Sequence, residues 1–384
     1  MMDFYQFSVP TRIVFNAGLA RDFSAEMESI PAKKYFIITD KVLVDLKIID
    51  PIIEGIKKSG REVTGIFSEV PPDSGVAVIE ACAEAAKLSG AEGLVAIGGG
   101  SVLDTAKGAN ILFSLGGNLI EDYSGAQTIT ENLCPLIAIP TTAGTGSEVT
   151  EAIVVLDETT HTKLSFVDSH LLPTLAILDP ELTYGLPPKI TAATALDALT
   201  HAIEAVMSQQ RGPVSDALAF QAIHLIFKNL EAALNDGKNC DARGALLTAS
   251  NLAGIAFNHS MVGVVHSVAH TVGALFRVHH GTANGIFLAH GMEYNLEVRE
   301  AEIASLAPFV GASQAIAKGC IQAVRDLQLR VKKLCGLPTM LREVGVKKED
   351  LAKIAEKAPD DGSSFYNPRE VTTADLLPYL ERAW

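Results

Sequence analysis

The chain has 384 residues, 48% of them hydrophobic and 20% charged, and a net charge of −14. That length exceeds the ~250–300 residues at which single cores stop growing, so two domains are expected. The acidic balance, relieved by no Lys/Arg run, excludes nucleic acid and an anionic membrane as partners. The opening "MMDFYQFSVP" has no basic segment leading into an apolar one, so no secretory signal is expected. Then "KKYFIITD" (33–40), "EVTGIF" (62–67), "GLVAIGGG" (93–100), "PLIAIPTT" (135–142) and "TLAILD" (174–179) read as short buried strands. Helical spacing lies between the early ones, as over 74–89, where Val76, Ile79, Ala83, Ala86 and Lys87 recur about once per turn. Such alternation predicts a parallel sheet with helices on both faces. After Pro187 and Pro188 the strands stop and Ala/Leu-rich helical periods continue to the end. The expected architecture is an α/β, Rossmann-like nucleotide domain over 1–187 and an all-helical domain over 188–384, with a ligand cleft between them.

Residues 251–276 contain no Lys, Arg, Asp or Glu and imitate a membrane span. Asn258, His259, Ser260, His266 and His270 interrupt it at a high cost to any lipid-facing helix, so the stretch reads as buried helix and turn. The five cysteines are scattered, odd in number and never form C-x-x-C, which fits reduced thiols in a cytoplasmic protein.

"LVAIGGGSVLDTAK" places Gly98, Gly99, Gly100 and Ser101 where a buried strand passes to a helix. Glycines there let a phosphate approach the backbone, and the helix N-terminus attracts the anion. Ser101 is the expected N-cap. The turn is neither G-x-G-x-x-G nor a Walker loop, and by itself it is equally a tight connection. Asp40 ends the strand "FIITD", where an acidic residue accepts ribose hydroxyls and favours NAD over NADP, or else caps a helix. "PTTAGTGSEVT" (140–150) adds hydroxyls and flexible backbone after another strand.

In "ATALDALTHAIEAVM", Asp197 and His201 stand at i and i+4 and share a helix face among apolar neighbours. A buried carboxylate needs compensation, which a cation supplies. His266 and His270 repeat the spacing, and His279 and His280 precede Gly281. Any one of these is equally a satisfied core histidine; together with an aspartate they make an O/N cluster suited to Fe²⁺ or Zn²⁺.

Across nearly its whole length the sequence resembles the iron-containing (group III) alcohol dehydrogenases, within the dehydroquinate synthase-like superfamily. The resemblance is carried by "GGGSVLDTAK", "PTTAGTGSEVT", "LPPKITAATALDALTHAIE", "HSVAHTVG", "HHGTANGI" and the C-terminal "NPR". It implies the metal ligands Asp197, His201, His266 and His280, the last chosen over His279 because the family ligand directly precedes the glycine. His270 corresponds to an active-site histidine that is not a ligand, and its alternative is a packing role. The resemblance also implies cofactor contacts from Asp40, Gly98, Gly99, Gly100, Ser101, Asp104, Thr141, Thr142, Thr145 and Lys163. Where the family has Pro-Asn-Pro-Thr, this chain has "PPDSG" (71–75), which puts Asp73 near the cofactor and disfavours a phosphorylated dinucleotide.

The implied reaction is reversible hydride transfer between a small primary alcohol or aldehyde and NAD, NADP being disfavoured. A divalent metal, Fe²⁺ favoured and Zn²⁺ the alternative, polarises the substrate oxygen, and His270 relays the proton. Ala152 and Phe257 are candidate pocket residues. A homodimer or higher homo-oligomer is implied by the family. Polyol dehydrogenases and a dehydroquinate synthase-like lyase share the scaffold. The few bases between 197 and 290 (Arg211, Lys228, Lys238, Arg243 and Arg277) favour a neutral or apolar substrate over the synthase's anionic one. A non-catalytic metal- and nucleotide-binding protein is the third reading, disfavoured by the completeness of the motifs.

Overall fold

The computed structural model describes residues 5–72, 74–157, 162–312, 314 and 316–384, so the candidate Asp73 lies outside the described residues. The apolar runs of the first half form β2 (Lys34–Ile38), β3 (Glu62–Phe67), β4 (Gly93–Gly98), β6 (Leu136–Pro140) and β9 (Leu175–Leu178). Four strands escaped the sequence reading: β1 (Arg12–Phe15), β5 (Gly125–Ala126), β7 (Ala152–Asp157) and β8 (Thr162–Val167). The patterns of three explain why. Strand β1 is a short edge strand, β5 has two residues and β8 mixes polar with apolar residues, whereas Ala152–Leu156 of β7 is a legible apolar run that went unread.

Six strands form one sheet in the order β1-β9-β6-β4-β2-β3, every pair parallel. Alternate side chains go to opposite faces, as the pleat requires. Phe36 and Ile38 of β2 join a core with Ile79 of α2 (Val76–Leu88) and Leu103 of α3 (Gly100–Leu115). Tyr35 and Ile37 join another with Ile52 and Ile56 of α1 (Asp50–Lys58). Helices therefore cover both faces. Strands β5, β8 and β7 make a separate sheet in that order, with β7 and β8 antiparallel.

The chain runs outward from β2 to β3, then returns through β4 and continues through β6 and β9 on the other side. The reversal falls between neighbouring β2 and β4, and in such sheets ligands bind at the carboxyl ends beside that switch.

Among the described residues no strand follows β9. The principal helices there are α4 (Pro188–Met207), α5 (Pro213–Asn235), α6 (Cys240–Ser260), α7 (Val264–Phe276) and α8 (His280–Tyr294). Helices α4, α5 and α6 pack on one another, while α8 packs on α4 and α7. No single helix among the described residues is long and apolar enough to cross a membrane. The uncharged stretch 251–276 is a helix, a turn and a second helix, with α6 and α7 bent by 105°. All five cysteines are unpaired.

The chain forms two compact units: residues 8–142 with 147–185, and residues 5–7 and 143–146 with 186–384. The short 143–146 segment joins the helical unit because its backbone lies directly on α6. Gly146 has a φ of 63°, and a Cβ there would stand 2.6 Å from Gly254 Cα and 2.9 Å from the Ser250 carbonyl oxygen. Only glycine meets both demands.

Candidate metal centre

Helix α4 begins with Pro188 at its first position, where a missing N–H is harmless, and its Ala/Leu-rich turns are buried from Thr191 to Met207. Asp197, His201 and Glu204 follow at i, i+4 and i+7 and are all buried. Helix α7 contributes His266, and His280 is the first residue of α8. One ligand atom from each of Asp197, His201, His266 and His280 lies within 4.8 Å of every other. His280 Nε2 is 3.3 Å, and His266 Nε2 3.9 Å, from Asp197 Oδ1. His201 stacks on Phe257 and on His266, at centroid separations of 4.2 and 4.6 Å. His279 caps α8 from an exposed position and is not part of the cluster.

The charges suit ligation. Burial works to raise the Asp197 pKa, but the three histidines and an Asn284 hydrogen bond outweigh it and hold the carboxyl at about 2. Burial drives His201 down to about 4, which keeps its imidazole neutral. At His266 burial works downward, yet the Glu204 carboxylate 2.6 Å from Nδ1 raises the pKa. Glu204 Oε1 also accepts from the Val265 N–H at 2.7 Å, so this one buried carboxylate anchors the start of α7. With Nδ1–H donating to the Glu204 carboxylate, His266 in its neutral form carries its lone pair on Nε2, facing Asp197. Three imidazoles and one carboxylate in a buried cluster fit a divalent ion of the Fe²⁺ or Zn²⁺ kind.

Residues 10–180 match the family model described as iron-containing alcohol dehydrogenase, and residues 191–384 match the C-terminal model of that family. The chain belongs to the iron-containing alcohol dehydrogenase family. It is an oxidoreductase of the NAD-linked alcohol dehydrogenase and aldehyde reductase class. It is 35% identical over 380 residues to the NAD-dependent methanol dehydrogenase of Bacillus methanolicus, covering 98% of this chain and 99% of that one. With the lactaldehyde reductase of Escherichia coli it shares 33% identity over 377 residues, 96% of this chain and 97% of the relative. The crystal structure of a 1,3-propanediol oxidoreductase superposes with a TM-score of 0.94 at 35% identity, covering 99% of this chain and all of the other.

In this dehydrogenase the carboxyl edge of the parallel sheet gathers most of the candidate cofactor residues. Asp40 follows β2, the Gly98–Ser101 turn ends β4, and Thr141 and Thr142 follow β6. The turn and the threonines are joined directly, the Thr141 N–H donating to the Gly98 carbonyl at 3.0 Å. Asp40 caps a short helix by accepting from the Leu43 N–H at 3.0 Å. Ser101 is not the N-cap expected of it. Gly99 holds that position, and Ser101 sits inside the first turn, two residues too far along to cap. Asp104 accepts from Ser147 Oγ at 2.8 Å and from the Val154 N–H at 3.3 Å, and Lys163 lies on β8. Thr145 belongs to the helical unit.

Three residues at the metal cluster went unnoticed in the sequence. Glu204 extends the Asp197/His201 face by a further turn, so periodicity was a usable signal. Asn284 lies one turn beyond His280 on α8 and touches three of the candidate ligands. Asp361 comes from the far C-terminal region and holds His270 Nδ1 at 2.9 Å, a pairing no local spacing reveals. Burial works to raise the Asp361 pKa, but His270 outweighs it and holds the carboxyl at about 2. The His270 ring stacks on His280 at 5.2 Å. In the "NPR" motif, Asn367 Oδ1 accepts from the Val264 N–H at 3.2 Å, giving α7 a second anchor.

Proposed function

We propose that the dehydrogenase interconverts small primary alcohols and their aldehydes using NAD, with one divalent ion held by Asp197, His201, His266 and His280. The gathering of those four ligand atoms within 4.8 Å carries the reading. Iron is favoured, with zinc the alternative, because three imidazoles and one carboxylate suit both and the family is the iron-containing one. When bound, such an ion acts as a Lewis acid on the substrate oxygen. Residues 1–187 bind the dinucleotide in this proposal, and 188–384 carry the chemistry.

The protein's own groups take the remaining tasks. Asp40 accepts from the adenosine ribose hydroxyls, and its charge disfavours a 2′-phosphate; Asp73 adds a second carboxylate to that preference. The helix start at Gly98, Gly99, Gly100 and Ser101 receives the pyrophosphate. Thr141, Thr142, Thr145, Asp104 and Lys163 complete the cofactor contacts. His270 accepts and releases the substrate proton, its ring held by Asp361 so that Nε2 remains for the transfer. Phe257, stacked on His201, gives the cluster an apolar wall suited to an uncharged substrate, and Ala152 is a further candidate pocket residue. Arg211 and Arg243 are engaged elsewhere, with Asp216 and Glu302 and with Thr191 respectively, so neither is offered to a substrate anion. The protein acts in the cytoplasm as a homodimer or higher homo-oligomer.

The test is NADH oxidation, with NADPH in parallel, over straight-chain aldehydes and glyceraldehyde, on anaerobically purified protein loaded with Fe²⁺ or Zn²⁺. NADH-dependent turnover is expected, and His266→Ala should lose bound metal and turnover together. Full activity in metal-free protein, or a preference for NADPH, would defeat the proposal.

A further inference from the structure

We infer that Asn284 is a positioning residue that sets how tightly, and which, divalent ion the cluster takes; the inference rests on the ligand set proposed above. Asn284 is completely buried on α8, one turn past His280. Its Nδ2 lies 2.6 Å from Asp197 Oδ1 and 3.1 Å from both His266 Nε2 and His280 Nε2. One amide nitrogen thus faces three of the four candidate ligand atoms.

The chemistry of the neighbours fixes which end of the amide points inward. Asp197 is an acceptor at every pH where its carboxyl is ionised. A neutral His266 whose Nδ1–H donates to the Glu204 carboxylate presents its lone pair at Nε2. A donor must therefore face them. The amide oxygen is buried and has no hydrogen-bond partner among the described residues. Leaving a buried acceptor unpaired is costly, so the inward contacts hold the side chain where it is.

Two N–H groups cannot serve three acceptors equally. The shortest contact goes to Asp197, so the amide engages one carboxylate oxygen and settles the rotation of that carboxylate relative to the two imidazoles. In the ion-free cluster the amide thus holds the carboxylate in one rotation beside the two imidazoles, an arrangement an entering ion takes over, and groups that preset ligand orientation typically change metal affinity about 10–100-fold when lost.

Chelator competition for Zn²⁺ and Mn²⁺ on the full-length protein tests this, with His201→Ala as the control for the ligand set. Asn284→Leu keeps the volume and removes the donors; a Zn²⁺ affinity about 10–100-fold weaker is expected. Asn284→Asp keeps the shape but replaces the donor with a second carboxylate beside Asp197, so the Mn²⁺-to-Zn²⁺ preference should rise several-fold, as oxygen ligands favour manganese. A purely structural residue would weaken both ions alike. Wild-type affinity in Asn284→Leu, or an unchanged ion preference in Asn284→Asp, overturns the inference. If Asn284→Leu fails to fold, the ion preference of Asn284→Asp decides alone. If His201→Ala also binds Zn²⁺ like the wild type, the ligand set fails first; if it does not, only the role of Asn284 has failed.

Discussion

Lys107, in the motif "GGGSVLDTAK", shows how a residue beside a cofactor turn holds structure. It is 1% exposed, and Nζ donates to the Thr150 carbonyl at 2.6 Å, to Thr150 Oγ1 at 3.1 Å and to the Ala152 carbonyl at 3.3 Å. Burial lowers its pKa to about 8, against the opposing pull of Asp104, Glu148 and Glu151. The ammonium and Asp104 together fasten 147–154 to α3, which explains why both stand in one helical motif. Lys107→Met leaves the carbonyls and nearby acids without their cation. A loss of about 3–5 kcal/mol in urea unfolding is expected, the usual penalty for removing one partner from a buried charge cluster. A loss below ~1 kcal/mol would mean that water or a rearranged side chain replaces the ammonium.

At the scale of elements, the site depends on how closely α4 and α8 approach. Gly281 is the residue after His280, and a Cβ built on it would run into the Ala193 carbonyl oxygen and stand 3.3 Å from Asp197 Cβ. The two helices therefore meet backbone to side-chain stem beside two candidate ligands. Gly281→Ala should separate them, destabilising the protein by about 1–3 kcal/mol through overpacking and lengthening the 3.3 Å separation between Asp197 and His280. Both a lower melting temperature and weaker Zn²⁺ binding are expected. A variant that melts and binds like the wild type would show that the crossing has slack. Sequence reading placed Asp197 and His201 on one face from spacing alone. It had no means of showing that Gly281 is the contact point, because the partner, Ala193, lies 88 positions away.

For the whole molecule, buried neutral histidines set the response to acid. Burial lowers both His201 and His290 to about 4, His290 lying near Arg325, Glu293 and Arg382. An unfolded histidine titrates near 6.5. Between pH ~6.5 and about 4 the unfolded chain takes up protons that these folded residues refuse, so stability falls as pH falls through that window. Above it they contribute nothing. His266, raised by Glu204, runs the other way, its contribution being full below the unfolded value and lost as pH rises through the folded one. Among these histidines two are lowered and one is raised, so as a set they favour loss of stability toward acid. In chelator-treated protein the urea midpoint should therefore drop from pH 7 to 4.5, and His290→Leu, distant from the metal cluster, should flatten the slope. Equal slopes in the two proteins would remove His290 from this account.

Local pattern alone was enough to read the α/β half, the helical half and the two i, i+4 pairs, because strand burial and helix facing are set by spacings of two and about 3.6 residues. It likewise read the uncharged stretch 251–276 as helix and turn, which the two bent helices bear out. Edge strand β1 is short and β8 mixes polar with apolar residues, so neither stood out, whereas the apolar run of β7 was legible and went unread. Tertiary structure alone brought His266 and His280 to the α4 pair, left His279 outside, and supplied Glu204 behind His266, Asp361 behind His270 and Asn284 against the ligand atoms. Those contacts join positions up to 91 residues apart. Their physical basis is the pairing of buried donors with buried acceptors, which depends on which surfaces meet and leaves no period in the chain.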